Sequence, residues 1–298
     1  MGDDAALLDV ADGTLAVTTD AVVEGVHFRR EWFSWAEVGR RATYACLSDL
    51  AAVRARPLAL FLTLGLPGDL SASALRSFTR AVSSAAEEFG CSLRGGDTTS
   101  SKVFFADLVA VGEVDKPWLR SGARPGDLVA VTGQLGAPAA AIALLQAGQS
   151  LKGRWASLRG RLLTPRPRVR EALAVAPDDV HAAMDISDGL LLDASRLAEA
   201  SGMRLVLEAE TLPVAPGVTE AAGELGREPL EFVAGGGEEY ELLVVLPPTR
   251  VSVVRRELAR LDCPLTVVGR VEQGSGARLL DAGGKPVRLS SAGWEHRA

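Results

Sequence analysis

Cysteine is scarce in this 298-residue chain: Cys46, Cys91 and Cys263 lie far apart, with no CxxC pair among them. That spacing excludes the usual cysteine zinc site and suits a reducing compartment better than a disulfide-stapled fold. Histidine is equally sparse, and His27, His181 and His296 are not spaced as metal ligands. No apolar run reaches the roughly 18 residues of a membrane-spanning helix. The start, MGDDAALLDV, lacks the basic and apolar parts of a signal peptide. Myristoylation wants Ser or Thr at position 6, where Ala6 stands. Basic residues do not dominate: Lys and Arg number 32 against 38 Asp and Glu, a net charge of -6. That balance argues against a general nucleic-acid binder and a polybasic membrane anchor. GxxxxGK[ST] is missing (Lys285 follows Gly284, but Pro286 comes next), and so are HRD and DFG. The chain is therefore neither a P-loop protein nor a protein kinase. A cytoplasmic protein without nucleic-acid or membrane partners is expected.

What is present suits a large core: hydrophobic residues make up 47% and charged residues 23%. The length is comfortable for two domains. Strands and helices alternate. Strands are expected at 14–23, 57–67, 102–114, 127–133, 203–209, 240–248 and 266–271, and AAMDIS gives another. Trp35 to Val53 reads as a helix with Ser34 as N-cap. Leu75, Phe78, Val82, Ala85, Ala86 and Phe89 recur at helical spacing within 71–89. Further helices are expected at 136–148, after AAMDIS up to Gly202, in GVTEAAGELG and over 250–261. The basic stretch 149–167 reads as a surface segment leading to a helix, and 277–289 as a hairpin turning at Gly283-Gly284. SGARPGD (121–127) is the expected domain boundary, placed between residues 124 and 125. The class is α/β (α+β) in layers.

Six aspartates stand among small or apolar neighbours: Asp4 in GDDAALL, Asp20 in TTDAVV, Asp49 in LSDLAA, Asp97 in RGGDTT, and Asp185 and Asp188 in MDISDGLLLD. A buried carboxylate is costly unless paired, hydrogen-bonded or bound to a metal. Clustered carboxylates without His or Cys fit Mg²⁺ far better than Zn²⁺. Bland alternatives stand beside this reading. Asp188 could be only a helix N-cap, and Asp20 and Asp97 could be turn aspartates. Asp49, in mid-helix among apolar residues, has fewer structural excuses. The glycine run of VAGGGEEYELL (233–243) lets backbone approach a ligand, with Glu238 and Glu239 at the mouth of a strand.

GDDAALL, TTDAVVEGVHF, LSDLAA, RGGDTT, LRSGARPGD, VTG, MDISDGLLLD and GGGEEYEL, in this order from Gly2 to Trp294, resemble the thiamine-monophosphate kinase family. That family belongs to a superfamily that includes aminoimidazole ribonucleotide synthetase. The resemblance implies a two-domain PurM-like fold, with an N-terminal mixed sheet that forms a dimeric β-barrel and a C-terminal α/β domain. It implies transfer of the γ-phosphoryl group of ATP to thiamine monophosphate, the last step of thiamine diphosphate biosynthesis, and a homodimer. By motif, Asp4, Thr18, Thr19, Asp20, Asp49, Asp97, Asp185 and Asp188 look like ligands of several Mg²⁺ ions. Gly96, Asp97, Arg120 and Ser187 resemble ATP contacts, and His27, Glu238 and Trp294 resemble substrate contacts. Asp97, Arg120 and Asp185 would act by charge and positioning, with no single base. The sequence departs from the family at Thr18 (often Ser), Gly235 (often Ser) and Glu239 (usually Asp). Members also usually carry a further segment ahead of the GDD. Sister reactions fit less well: the first cysteine is Cys46, and the chain ends GWEHRA with no C-terminal cysteine.

Overall fold

The computed structural model describes residues 2–11 and 13–294. The N-terminal part runs β1 (Ala6–Val10), β2 (Gly13–Val23), α1 (Trp35–Ala52), β3 (Arg56–Leu66), α2 (Ala72–Glu87), β4 (Ser92–Ser100) and β5 (Phe105–Val114). Its strands form one sheet in the order β1-β2-β5-β3-β4, antiparallel except for the β3–β4 pair. Burial alternates along β5: Ala106, Leu108 and Ala110 are fully buried, and Asp107, Val109 and Val111 face the other way. This is the pattern of a sheet covered on one face. The cover is α1 and α2, which pack on each other and on the sheet. Ser34 starts α1 through a capping box: its Oγ accepts the Glu37 N–H, and the Glu37 carboxylate accepts the Ser34 N–H at 2.8 Å.

The C-terminal part runs β6 (Leu128–Thr132), α3 (Ala137–Gln146), α4 (Ala156–Leu163), α5 (Val169–Ala174), β7 (Ala182–Asp185), α6 (Leu190–Ser201), β8 (Arg204–Glu208), α7 (Val218–Leu225), α8 (Pro229–Val233), β9 (Leu242–Leu246), α9 (Val251–Ala259), β10 (Leu265–Glu272) and β11 (Gly276–Leu280). The second sheet has the order β11-β8-β10-β6-β9-β7. Gly202, in the left-handed region at φ 64°, closes α6 where the sequence places the stop. The two parts meet along α1, which touches β7 and α5. Ser48 and Arg41 of α1 bond Asp185 and Glu238 across that boundary.

Several expectations need correction. β1 and β4 were not expected. β4 holds Gly95-Gly96-Asp97 and is exposed from Arg94 onward, so no apolar alternation betrays it. The basic stretch 149–167 is more than a surface segment. It forms α4 and buries Trp155, Leu158 and Leu162, whose helical spacing is masked by the arginines and glycines between them. The short helix α8 was also unforeseen. The 277–289 hairpin is partial: β11 pairs with β8 in parallel, and its return arm touches it through the Leu280–Pro286 bridge. Pro286 has no N–H to extend that ladder.

An aromatic cluster seats α1 and α2 on the first sheet. Phe78 of α2 is fully buried and meets Phe104 edge-on at 5.0 Å, and Phe104 meets Trp35 at 4.8 Å. Phe78→Ala is expected to cost about 3–5 kcal/mol, read as a lowered midpoint in urea denaturation. A loss below about 1 kcal/mol would show that the site collapses without a cavity.

Candidate active site

Three carboxylates from distant parts of the chain converge. Asp4 precedes β1, Asp49 lies in the last turn of α1, and Asp185 ends β7; one oxygen of each falls within 4.8 Å of the others. Asp49 is thus near a helix end, not in mid-helix as the apolar run suggests. Each acid is held. Thr18 Oγ1 of β2 donates to Asp49. Ser48 Oγ donates to Asp185 at 2.7 Å. Arg120 grips Asp4 through Nη2 and Nε at 2.7 and 3.2 Å, while its backbone N–H donates to Asp3. Burial raises the pKa of Asp4, and pushes Asp49 and Asp185 well above the ordinary carboxylate range. For Asp185 the charges of Asp49 and Asp4 add to the push. Three carboxylates facing one guanidinium leave an excess of negative charge in a place that disfavours it. The donor set is all oxygen, which fits a hard divalent cation such as Mg²⁺.

A second group lies beside the first. Asp20 of β2 lines a small cavity with His27, Arg41, Glu238 and Tyr240. Its pKa is raised to about 6, chiefly by burial, with the charges of Asp107, Glu238 and Asp188 adding to it. Arg41, buried and stacked over Phe33 at 4.5 Å, holds Glu238 at 2.6 Å. The other oxygen of Glu238 is buried without a hydrogen-bond partner. His27 Nδ1 accepts the Val23 N–H at 3.0 Å, so the ring's proton sits on Nε2. Glu238 and Tyr240 both have positive φ, 65° and 53°. Such a conformation costs a non-glycine residue about 1–3 kcal/mol and tends to mark functional segments. Glu241 anchors the strained segment from behind: Arg168 bonds both of its oxygens at 2.6 Å, and Thr132 adds a third contact.

The loop after β7 carries Ser187 and Asp188. Asp188 pairs with Arg196 at 2.6 Å and caps nothing with its side chain; the N-cap of α6 is Gly189. Trp294 donates its backbone N–H to Asp188 O at 2.8 Å, bringing the C-terminal strap to this loop. Glu239, which replaces the family's Asp, is buried and accepts the Gly136 N–H at the start of α3.

Asp97 stands apart. Pairing places it beside Thr63 of β3, on the face that carries Phe61, Val109 and Asp107. That face points away from α1 and α2. Across β3 and β5, the edge strand β4 lies about 14 Å from β2, three strand spacings. Gly96 beside it has φ 151°, which side-chain-bearing residues rarely adopt, and a Cβ there would strike Leu62 O. Thr19 also faces this side and donates to Asp107 at 2.8 Å. Within one chain, Asp97, Gly96 and Thr19 do not join the Asp4–Asp49–Asp185 cluster. Arg41, Ser48, Asp107, Asp193 and Arg196 were not singled out in the sequence. Ser48 and Asp193 lie inside quoted motifs, and the arginines give no signal until the fold pairs them.

Comparison with known proteins assigns this architecture. Residues 2–114 match the AIR synthase related protein N-terminal domain and residues 124–281 the corresponding C-terminal domain. The chain is thus a two-domain enzyme of the PurM-like fold. The thiamine-monophosphate kinase of Pyrococcus abyssi is 33% identical over 298 residues, covering 100% of this chain and 91% of that protein. That of Mycobacterium tuberculosis H37Rv is 35% identical over 296 residues, covering 98% and 88%. The chain belongs to the thiamine-monophosphate kinase family. The structure of AaThiL complexed with AMPPCP and TMP superposes with a TM-score of 0.88 at 32% identity, covering 98% and 91% of the two chains. A chain of the HypE-HypF complex, 18% identical with a TM-score of 0.79, shares the fold.

The crowded carboxylates make a pH prediction. Asp20 and Asp193 both rise from 3.8 to about 6, chiefly through burial. The folded state therefore binds these protons more tightly than the unfolded chain. That contribution, up to about 3 kcal/mol for each group, is complete below about pH 4 and lost as pH rises through about 6. At Asp20, a metal ligand by resemblance, a divalent cation competes with protons for the same oxygens. Thermal melts in EDTA and in Mg²⁺ should show a larger Mg²⁺-induced rise at pH 7.5 than at pH 5. An equal rise at both would contradict the charge assignment.

Proposed function

We propose that this protein transfers the γ-phosphoryl group of ATP to the phosphate of thiamine monophosphate, giving thiamine diphosphate and ADP. The observation that carries this reading is the Asp4–Asp49–Asp185 cluster, in a chain whose whole length aligns with a thiamine-monophosphate kinase. The acceptor is itself a phosphate, so it needs little help from a general base; the obstacle is repulsion between anions. Several Mg²⁺ ions, when bound, would neutralise that charge and polarise the phosphoryl oxygens. Asp4, Asp49 and Asp185 would hold one ion, with Thr18 and Ser48 fixing two of the carboxylates. Asp20 and Asp188 would serve further ions. Arg120 would turn from Asp4 to the nucleotide, with Gly96 and Ser187 completing the ATP contacts. His27 and Glu238 line one cavity and would contact the thiamine moiety, and Trp294 would stack on its rings. The acceptor oxygen attacks the γ-phosphorus as the bond to the β-phosphate oxygen breaks, in line and without a phosphoenzyme.

The reading includes a homodimer. Leu8, Val10 and Phe61 are exposed on the uncovered face of the first sheet, which needs a partner. Asp97 lies on the same face, away from its own chain's cluster, which supports its serving a second copy's site across a β-barrel of joined sheets. Separate matches for 2–114 and 124–281 support a boundary near residues 124 and 125. Among the described residues no helix is long and apolar enough to cross a membrane.

Purified protein with ATP, Mg²⁺ and thiamine monophosphate should yield thiamine diphosphate, and free thiamine should not substitute. Asp49→Asn and Asp185→Asn should each lower kcat by about 100-fold or more. No diphosphate from the wild type would end this reading. Mixing inactive Asp49→Asn with inactive Asp97→Asn should restore activity, because one site of each mixed dimer then has both acids. Absence of rescue with mixed dimers present would show that Asp97 serves its own chain.

A further inference from the structure

Residues 186–189 join β7 to α6 and carry Ser187 and Asp188, read above as nucleotide and metal contacts. A helix N-terminus behind such a loop ordinarily offers its free amides to an anion. Here the three loop amides are already spent. The N–H groups of Ser187, Asp188 and Gly189 converge on Asp193 Oδ2 at 3.1, 3.0 and 3.0 Å. The carbonyls are spent as well. Ser187 O accepts the Glu238 N–H at 2.7 Å, Asp188 O accepts the Trp294 N–H at 2.8 Å, and Gly189 O accepts the Asp193 N–H at 2.9 Å. With the three backbone N–H groups satisfied inside the protein, the loop has no free amide to offer an anion. Asp193 itself is 0% exposed, and its other oxygen accepts Arg196 Nη1 at 2.8 Å. The same nitrogen donates to Asp188 at 2.6 Å.

We propose that Asp193 is a positioning residue for the metal–nucleotide end of the site. It is an internal anion that occupies the α6 N-terminus in place of a phosphate and holds Ser187 and Asp188 toward the ligand. This rests on the reading of Ser187 and Asp188 as nucleotide and metal contacts. Its consequence is specific: the triphosphate is not cradled by the amides of 187–189, and its recognition falls to Arg120, Gly96, the Ser187 hydroxyl and the cations. Arg196 ties the anchor to Asp188, so the loop and its carboxylate move as one unit.

Two measurements test this. Calorimetric titration with Mg²⁺ and AMPPCP should show about a tenfold or greater loss of affinity in Asp193→Asn, as for other groups that orient a ligand from behind. The KM for ATP should rise in parallel, while the KM for thiamine monophosphate stays within about twofold, a split that general destabilisation does not produce. Affinity equal to wild type would overturn the proposal. Hydrogen exchange on the wild type covers the case in which the variant does not fold. The amides of 187–189 should be protected without nucleotide and gain nothing on binding Mg²⁺–AMPPCP; new protection there would mean that phosphate takes them. If the wild type forms no thiamine diphosphate yet binds Mg²⁺–AMPPCP and Asp193→Asn does not, the kinase reading fails while this one stands.

Discussion

The mutual repulsion of buried carboxylates is the constraint around which this molecule is organised. Asp4, Asp49 and Asp185 bring three potential charges within 4.8 Å, where a low dielectric magnifies their interaction. The fold tolerates this because each acid is tethered separately: Thr18 and Ser48 give a hydrogen bond each, and Arg120 gives a guanidinium. None of the tethers removes the excess charge. On the function proposed above, cations would complete such a site, and a cation that arrives with a polyphosphate would bring the ligand with it.

Helix α1 converts that constraint into architecture. One of its faces packs on the first sheet; the others carry Arg41, Ser48 and Asp49 to the second domain and the site. Arginine recurs as the local counter-ion: Arg120 on Asp4, Arg196 on Asp188 and Arg41 on Glu238, each at 2.6 or 2.7 Å. These pairs are partly or wholly shielded from water, so removing one partner would strand the other's charge. The same pairs bind the N-terminal strap, the loop before α6 and the strained 238–240 segment to their surroundings. Rigidity at the site thus comes from charge pairing laid over packed helices, not from packing alone.

Much of this was legible in the chain. Local patterns were the readable part: the Ser34 cap, the apolar periodicity of α2, the Gly202 stop and the long strands all express interactions between near neighbours. β4 was hidden because Gly95, Gly96 and Asp97 carry no strand signal, and α4 because charges interrupt its apolar face. Asp193 ends the MDISDGLLLD motif, yet its role has no local signature. A carboxylate five residues past Asp188 shows nothing until the loop folds back and aims three amides at one oxygen.

By itself, the sequence determined the chemistry on offer: an acidic, cysteine-poor chain with aspartates in small-residue settings, suited to hard cations and phosphate. The family's motifs supplied the order in which those aspartates occur. Only the tertiary structure decided which of them meet. Asp4, Asp49 and Asp185 are separated by 45 and 136 residues and come together because β7 docks against α1. Asp97, in an equally persuasive motif, is sent to the opposite face of a sheet by the two-residue alternation of a strand that the sequence did not reveal. Spacing along a chain sets which residues can share a face of one element. Which elements share a site depends on long-range packing, and no local pattern encodes that.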